Sequence, residues 1–139
     1  MQQELRFATF NVCNLALPGM KYYEDQIPYS ADEYDAKIGW IAQQLDRMDA
    51  DVIGLQEIFS QQALTDVLAK TQKYRNAQQL GFDPDPAADH LTPSVALISR
   101  LPVLAGATVF RELPHRLSIT LPGVAHPVTH FTRPILHAQ

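Results

Sequence analysis

The chain has a single cysteine, Cys13, among its 139 residues. A lone thiol closes no intrachain disulfide, which argues against a secreted disulfide scaffold and for a reducing compartment. The opening residues, MQQELRFATF, have no basic stretch followed by an apolar one, so no signal peptide is read there. No apolar run approaches the roughly 20 residues that a membrane-spanning helix needs. The expected setting is therefore cytoplasmic, without a membrane span. Positive charge is also scarce, since 11 Lys and Arg stand against 15 Asp and Glu, for a net charge of −4. That balance gives no electrostatic footprint for non-specific nucleic-acid binding, although a local metal site could still meet phosphate. Internal repeats and low-complexity tracts are absent as well. What remains is an ordinary composition, 46% hydrophobic and 19% charged, enough for the core of one domain.

Residues 5–12 (LRFATFNV) alternate imperfectly and are rich in Phe, Thr and Val, so they read as a strand beginning almost at the first residue. Residues 14–29 carry Pro18, Gly19 and Pro28 and read as a loop. A loop longer than about 12–15 residues is often functional. Ser30 with Glu33 has the capping-box spacing that opens a helix. Tyr34, Ile38, Ile41, Ala42, Leu45 and Met48 then form one apolar stripe at helical spacing. Residues 51–57 (DVIGLQE) read as a second strand. Ser60 caps a second helix over 61–70, with Leu64, Val67 and Leu68 facing inward. The order strand, helix, strand, helix favours an α/β layered fold. After a polar loop at 83–89, β-like runs at 94–99, 103–110, 117–121 and 128–136 predict an antiparallel continuation of the sheet. The last run, RPILHAQ at 133–139, is apolar with no polar tail, and the chain is expected to be one domain cut short of its end.

Two polar residues stand at matching places on the two early strands. Asn11 lies near the end of the first and Glu57 ends the second. A right-handed crossover lays such strands side by side and parallel, so both tips emerge at the same rim. Ligands of open α/β sheets gather at that carboxyl rim. A carboxylate beside an amide suits a hard cation such as Mg²⁺, which keeps several waters, and the amide can orient the carboxylate or bond a phosphate oxygen. The plainer alternative is a solvated glutamate and a turn-forming asparagine.

Other candidates are weaker. His126 and His130 on a strand would stand about 13 Å apart, too far to share one metal, and His90, His115 and His137 read as solvated or unmatched. Asp83, Asp85 and Asp89 lack the glycine turn and distal Glu of a calcium loop, so a solvated loop is expected. Tyr22, Tyr23 and Tyr29 read as aromatic packing over the sheet edge, and Cys13 as a buried structural thiol.

Taken together, FNVCNL at 10–15, DVIGLQE at 51–57 and SVALISRLPV at 94–103 resemble the endonuclease/exonuclease/phosphatase superfamily. That is the family of pancreatic deoxyribonuclease, abasic-site endonucleases, sphingomyelinases and inositol-phosphate phosphatases. The resemblance implies the amino-terminal half of a four-layered α/β sandwich, with a mixed sheet and helices on its outer face. It implies Mg²⁺- or Mn²⁺-dependent hydrolysis of a phosphate ester in nucleic acid, phospholipid or a small molecule. Glu57 matches the metal-binding glutamate, and Asn11 the asparagine that positions phosphate or metal. Arg133, in FTRP at 131–134, matches a phosphate-contacting arginine. Cys13 falls where relatives carry a second acidic or amide ligand, and Asn14 lies one residue off that pattern. No D-x-N and no S-D-H occurs in the chain, so the general base that the resemblance calls for is missing. The fragment is expected to be inactive or nearly so, and to self-associate through an uncovered sheet face. The alternative is a complete, non-catalytic α/β binding or interaction module.

Overall fold

Ile53 and Leu55 alternate inward along a strand and pair on both sides with apolar residues, Ala8 and Phe10 on one neighbour, Ile98 and Ala96 on the other. This period-two placement puts one face of the sheet in the core. The structure, a computed structural model, describes residues 4–88 and 91–139. It is a mixed α/β arrangement of two sheets and two helices. The elements are β1 (Phe7–Leu15), α1 (Ala31–Met48), β2 (Val52–Ile58), α2 (Gln61–Lys70), β3 (Gln78–Gly81), β4 (Ser94–Ser99), β5 (Thr108–Glu112) and β6 (His130–His137). The first sheet has the order β1-β2-β4-β3, with β1 and β2 parallel and the other pairs antiparallel.

The helices begin where the sequence places them. Ser30 accepts from the Glu33 amide while the Glu33 carboxylate accepts from the Ser30 amide, which completes the capping box. Ser60 likewise accepts from the Ala63 amide. Tyr34, Ile38, Ile41, Ala42 and Leu45 of α1, with Ala63, Leu64, Val67 and Leu68 of α2, join Ile53, Leu55, Ala96 and Ile98 in one buried cluster. Each fully buried aliphatic side chain of this kind contributes about 1.5–3 kcal/mol. Tyr74, also fully buried, seals the far end by donating its hydroxyl to the Ala50 carbonyl at 2.8 Å. Among the described residues, no helix is long and apolar enough to cross a membrane.

The structure corrects several expectations. β1 runs to Leu15, beyond the predicted end at 12, so the long loop starts at residue 16. β3 was not expected, because QQLG has no β-branched residue and only one large apolar side chain. The segments after β4 do not extend the first sheet. β5 and β6 pair with each other in a separate two-stranded sheet, and the run at 117–121 forms only an isolated bridge between Ile119 and Val128. Prolines 102, 114, 122 and 127 remove the amides that a longer ladder would need. Asp83 is not idle either, since its carboxylate accepts from the Gln61 amide at 2.7 Å and anchors the first turn of α2. Asp89 and His90 lie outside the described residues.

Candidate functional site

The carboxyl rim of β1 and β2 is irregular for a reason that the pairing shows. β1 advances from Asn11 to Leu15 while β2 advances only from Gln56 to Ile58. On the other side, β2 makes the same step against a single one of β4, from Val95 to Ser94. Glu57 is thus the extra residue of a bulge and pairs with neither neighbour, a device that re-aims a side chain. Cys13, Asn14 and Glu57 all take positive φ, at 55°, 60° and 63°. Asparagine tolerates that region, whereas for the other two it costs on the order of 1–2 kcal/mol each. Backbone strain of this kind collects at functional sites.

The bulge brings three polar groups together. Asn11 Nδ2 donates to Glu57 Oε1 at 3.1 Å. The Asn14 amide donates to Glu57 Oε2, also at 3.1 Å. Asn11 Oδ1 in turn accepts from the Cys13 amide at 2.9 Å, which fixes the asparagine. The carboxylate is therefore held by one donor on each oxygen, and each oxygen keeps lone-pair capacity to spare. Asn14 Oδ1 is buried with no donor directed at it.

A lysine completes the rim. Lys37, on the second turn of α1, donates from Nζ to the Cys13 carbonyl at 2.7 Å. Its ammonium sits 5.4 Å from the centre of the Tyr29 ring. Burial pushes its pKa below the usual lysine range, and the nearby Cys13 and Glu57 oppose that shift. The Tyr29 hydroxyl donates to the Asn14 carbonyl at 3.0 Å, and burial raises its pKa above the ordinary phenol range. Lys37 was not expected from the sequence. The only signal was its place beside the apolar stripe, between Tyr34 and Ile38.

Behind the rim, the loop from residue 16 folds back as an aromatic layer. Tyr22 stacks on Tyr29 at 5.3 Å, and both Tyr22 and Tyr23 lie against Phe59. These tyrosines therefore pack over the sheet edge, and Tyr22, Tyr23 and Leu91 wall a 530 Å³ crevice beside it.

Asn11 and Glu57 are thus side by side, while Arg133 is elsewhere. Arg133 is exposed on β6, in the second sheet, and among the described residues no hydrogen bond or ion pair joins it to the rim. Cys13 is exposed, against the expectation of a buried thiol. His115, His126, His130 and His137 are exposed. Among the described residues, no three His, Cys, Asp or Glu side chains gather as a metal-holding group. Comparison of the chain with family models, with curated proteins and with solved structures finds no significant match.

Proposed function

We propose that this chain carries the metal- and phosphate-binding rim of a Mg²⁺- or Mn²⁺-dependent phosphoesterase of the endonuclease/exonuclease/phosphatase type. The observation that supports this reading is the bulge at Glu57. It turns a carboxylate out of a buried strand, at the cost of a strained backbone, and clamps it between Asn11 and the Asn14 amide. A hydrophobic strand end needs none of this to be stable.

The donors present fit a hard cation, which takes oxygen ligands and keeps several waters. Glu57 offers two half-satisfied carboxylate oxygens, and Asn14 Oδ1 is a buried oxygen without a donor. These two residues would hold the ion. Asn11 orients Glu57 through Nδ2, and its remaining oxygen lone pair is available to the ion or its water. When bound, the ion supplies Lewis acidity toward a phosphate oxygen. The open face of the four-stranded sheet, with Phe7 and Thr9 exposed, is where a second sheet would pack to complete a four-layered sandwich. With no D-x-N and no S-D-H in the chain, binding without appreciable turnover is expected.

The test is Mn²⁺ binding followed by electron paramagnetic resonance, in which bound ion loses the free-ion signal. Wild type is expected to bind, and Glu57→Gln to weaken binding at least about tenfold, the loss of one charged ligand. The rival reading, a non-catalytic α/β module, draws on the fact that both Glu57 oxygens already accept internal hydrogen bonds and so could serve only to lock the bulge. Equal, negligible Mn²⁺ binding by both proteins would select that rival.

A further inference from the structure

The phosphate contact that the resemblance assigns to Arg133 has a better-placed candidate in Lys37. Long cationic side chains are seldom drawn into a protein surface without a carboxylate partner, because an unpaired charge is costly to desolvate. Arg6, Lys70, Lys73 and Arg100 are all exposed, and even so each closes an ion pair. Lys37 does not. It is half-buried and, among the described residues, closes no ion pair, although Glu57 is near enough to act on its charge. One of its three N–H donors is used, on the Cys13 carbonyl, and two remain. Anchoring a bulge needs only a neutral donor, so the charge is unexplained by that bond.

We propose that Lys37 binds substrate phosphate: anchored on the Cys13 carbonyl and propped over the Tyr29 ring, its ammonium takes a phosphate oxygen at the rim where Asn11 holds Glu57. The inference rests on the phosphoesterase reading and deepens it. It names a second cation for an anionic substrate that a divalent ion would contact from the Glu57 side. Two positive groups facing one phosphate is a recurrent way of holding it, with lysine acting as a point charge. The class of ligand is a phosphate mono- or diester, and inorganic phosphate is its simplest probe.

The experiment is nuclear magnetic resonance of the lysine Nζ groups, with phosphate titrated in the absence and presence of Mg²⁺. The spectrum of Lys37→Arg identifies the Lys37 signal by its disappearance. Phosphate is expected to shift that signal saturably. Lys37→Met is expected to weaken phosphate binding by about tenfold, the loss of one charge-assisted contact, while Lys37→Arg retains most of it. Neither variant is expected to weaken metal binding, because losing a cation near Glu57 does not cost a divalent ion affinity. Replacing a lysine that merely anchored the bulge by Met would instead lower metal and phosphate affinity together. Phosphate that leaves the Lys37 signal unmoved overturns the proposal, even if Mn²⁺ binds as expected. A Lys37 signal that responds in a protein with no metal affinity sinks the metal reading and leaves the lysine's role standing. The wild-type signal decides the matter if Lys37→Met fails to fold.

Discussion

Positive φ at Cys13, Asn14 and Glu57, two neighbours on β1 and one residue of β2 hydrogen-bonded to Asn14, is the feature of this molecule least explained by packing. Cys13 and Glu57 bear it without the side-chain tolerance of asparagine, and Cys13 gains no buried contact in exchange, since it is exposed. Cys13→Gly should therefore relieve strain and lose little. The expected gain is up to about 1 kcal/mol, after allowing for the larger entropy of glycine in the unfolded chain. Urea unfolding measures it, and a lower midpoint for the variant would contradict the strain account. Asn11 and Glu57 were legible because each is a polar residue that breaks an apolar run near the carboxyl end of its strand, although β1 runs on to Leu15 and β2 to Ile58. Lys37 and Asn14 were not. Lys37 reaches the rim from a different element, and the part played by Asn14 depends on a backbone conformation that residue type alone does not announce.

The helices were the most legible elements, because their ends are written in short-range chemistry. Ser30 and Glu33 satisfy each other's amides within one turn, so Ser30→Ala is expected to cost about 1 kcal/mol, read as a lower urea midpoint. No loss of stability would mean that the box is idle. The strands are held from further away. Arg100 follows β4 and bonds Asp49 Oδ1 at 2.7 Å and Asp51 Oδ1 at 3.1 Å, clamping the end of β4 to the start of β2. Arg100, and after it Lys73, hold the Asp49 carboxyl below the usual aspartate range. A depressed carboxylate stabilises the fold above its unfolded pKa, and the contribution is lost as pH falls through the depressed value. Stability should therefore decline as pH drops below about 4, the ordinary aspartate range, and Arg100→Met should make that decline shallower. Urea midpoints at neutral and acid pH measure both slopes, and parallel slopes would show that the clamp does not couple to protonation. β3 escaped the sequence because QQLG is recruited by its antiparallel partner β4 rather than by its own propensity.

In the whole molecule, the helices cover one face of the four-stranded sheet, and on the other face β1 is exposed while β2 and β4 are half-buried. Phe7 on that face is 70% exposed, and beyond it Leu104, Phe110, Leu117, Leu121 and Ile135 are exposed as well. Apolar surface on this extent favours association. Light scattering is expected to give a mass that rises with concentration, and a constant monomer mass across a wide concentration range would count against it. The four-stranded sheet with its two helices forms one core, whereas the residues after β4 contribute no member to it.

What the sequence determined by itself was local: two capped amphipathic helices, the strand that carries Glu57, whose end lies one residue later at Ile58, and the SVALIS strand at its expected bounds. Helical stripes, caps and alternation act over a few residues and can be read wherever they occur. Tertiary structure alone decided how far β1 runs, that the later strands form their own sheet, that the Asn14 amide meets Glu57, and that Lys37 reaches the Cys13 carbonyl beside them. The separate sheet depends on which strands find partners across the prolines, and the other outcomes on a bulge, a mismatch between two strands that neither strand carries alone.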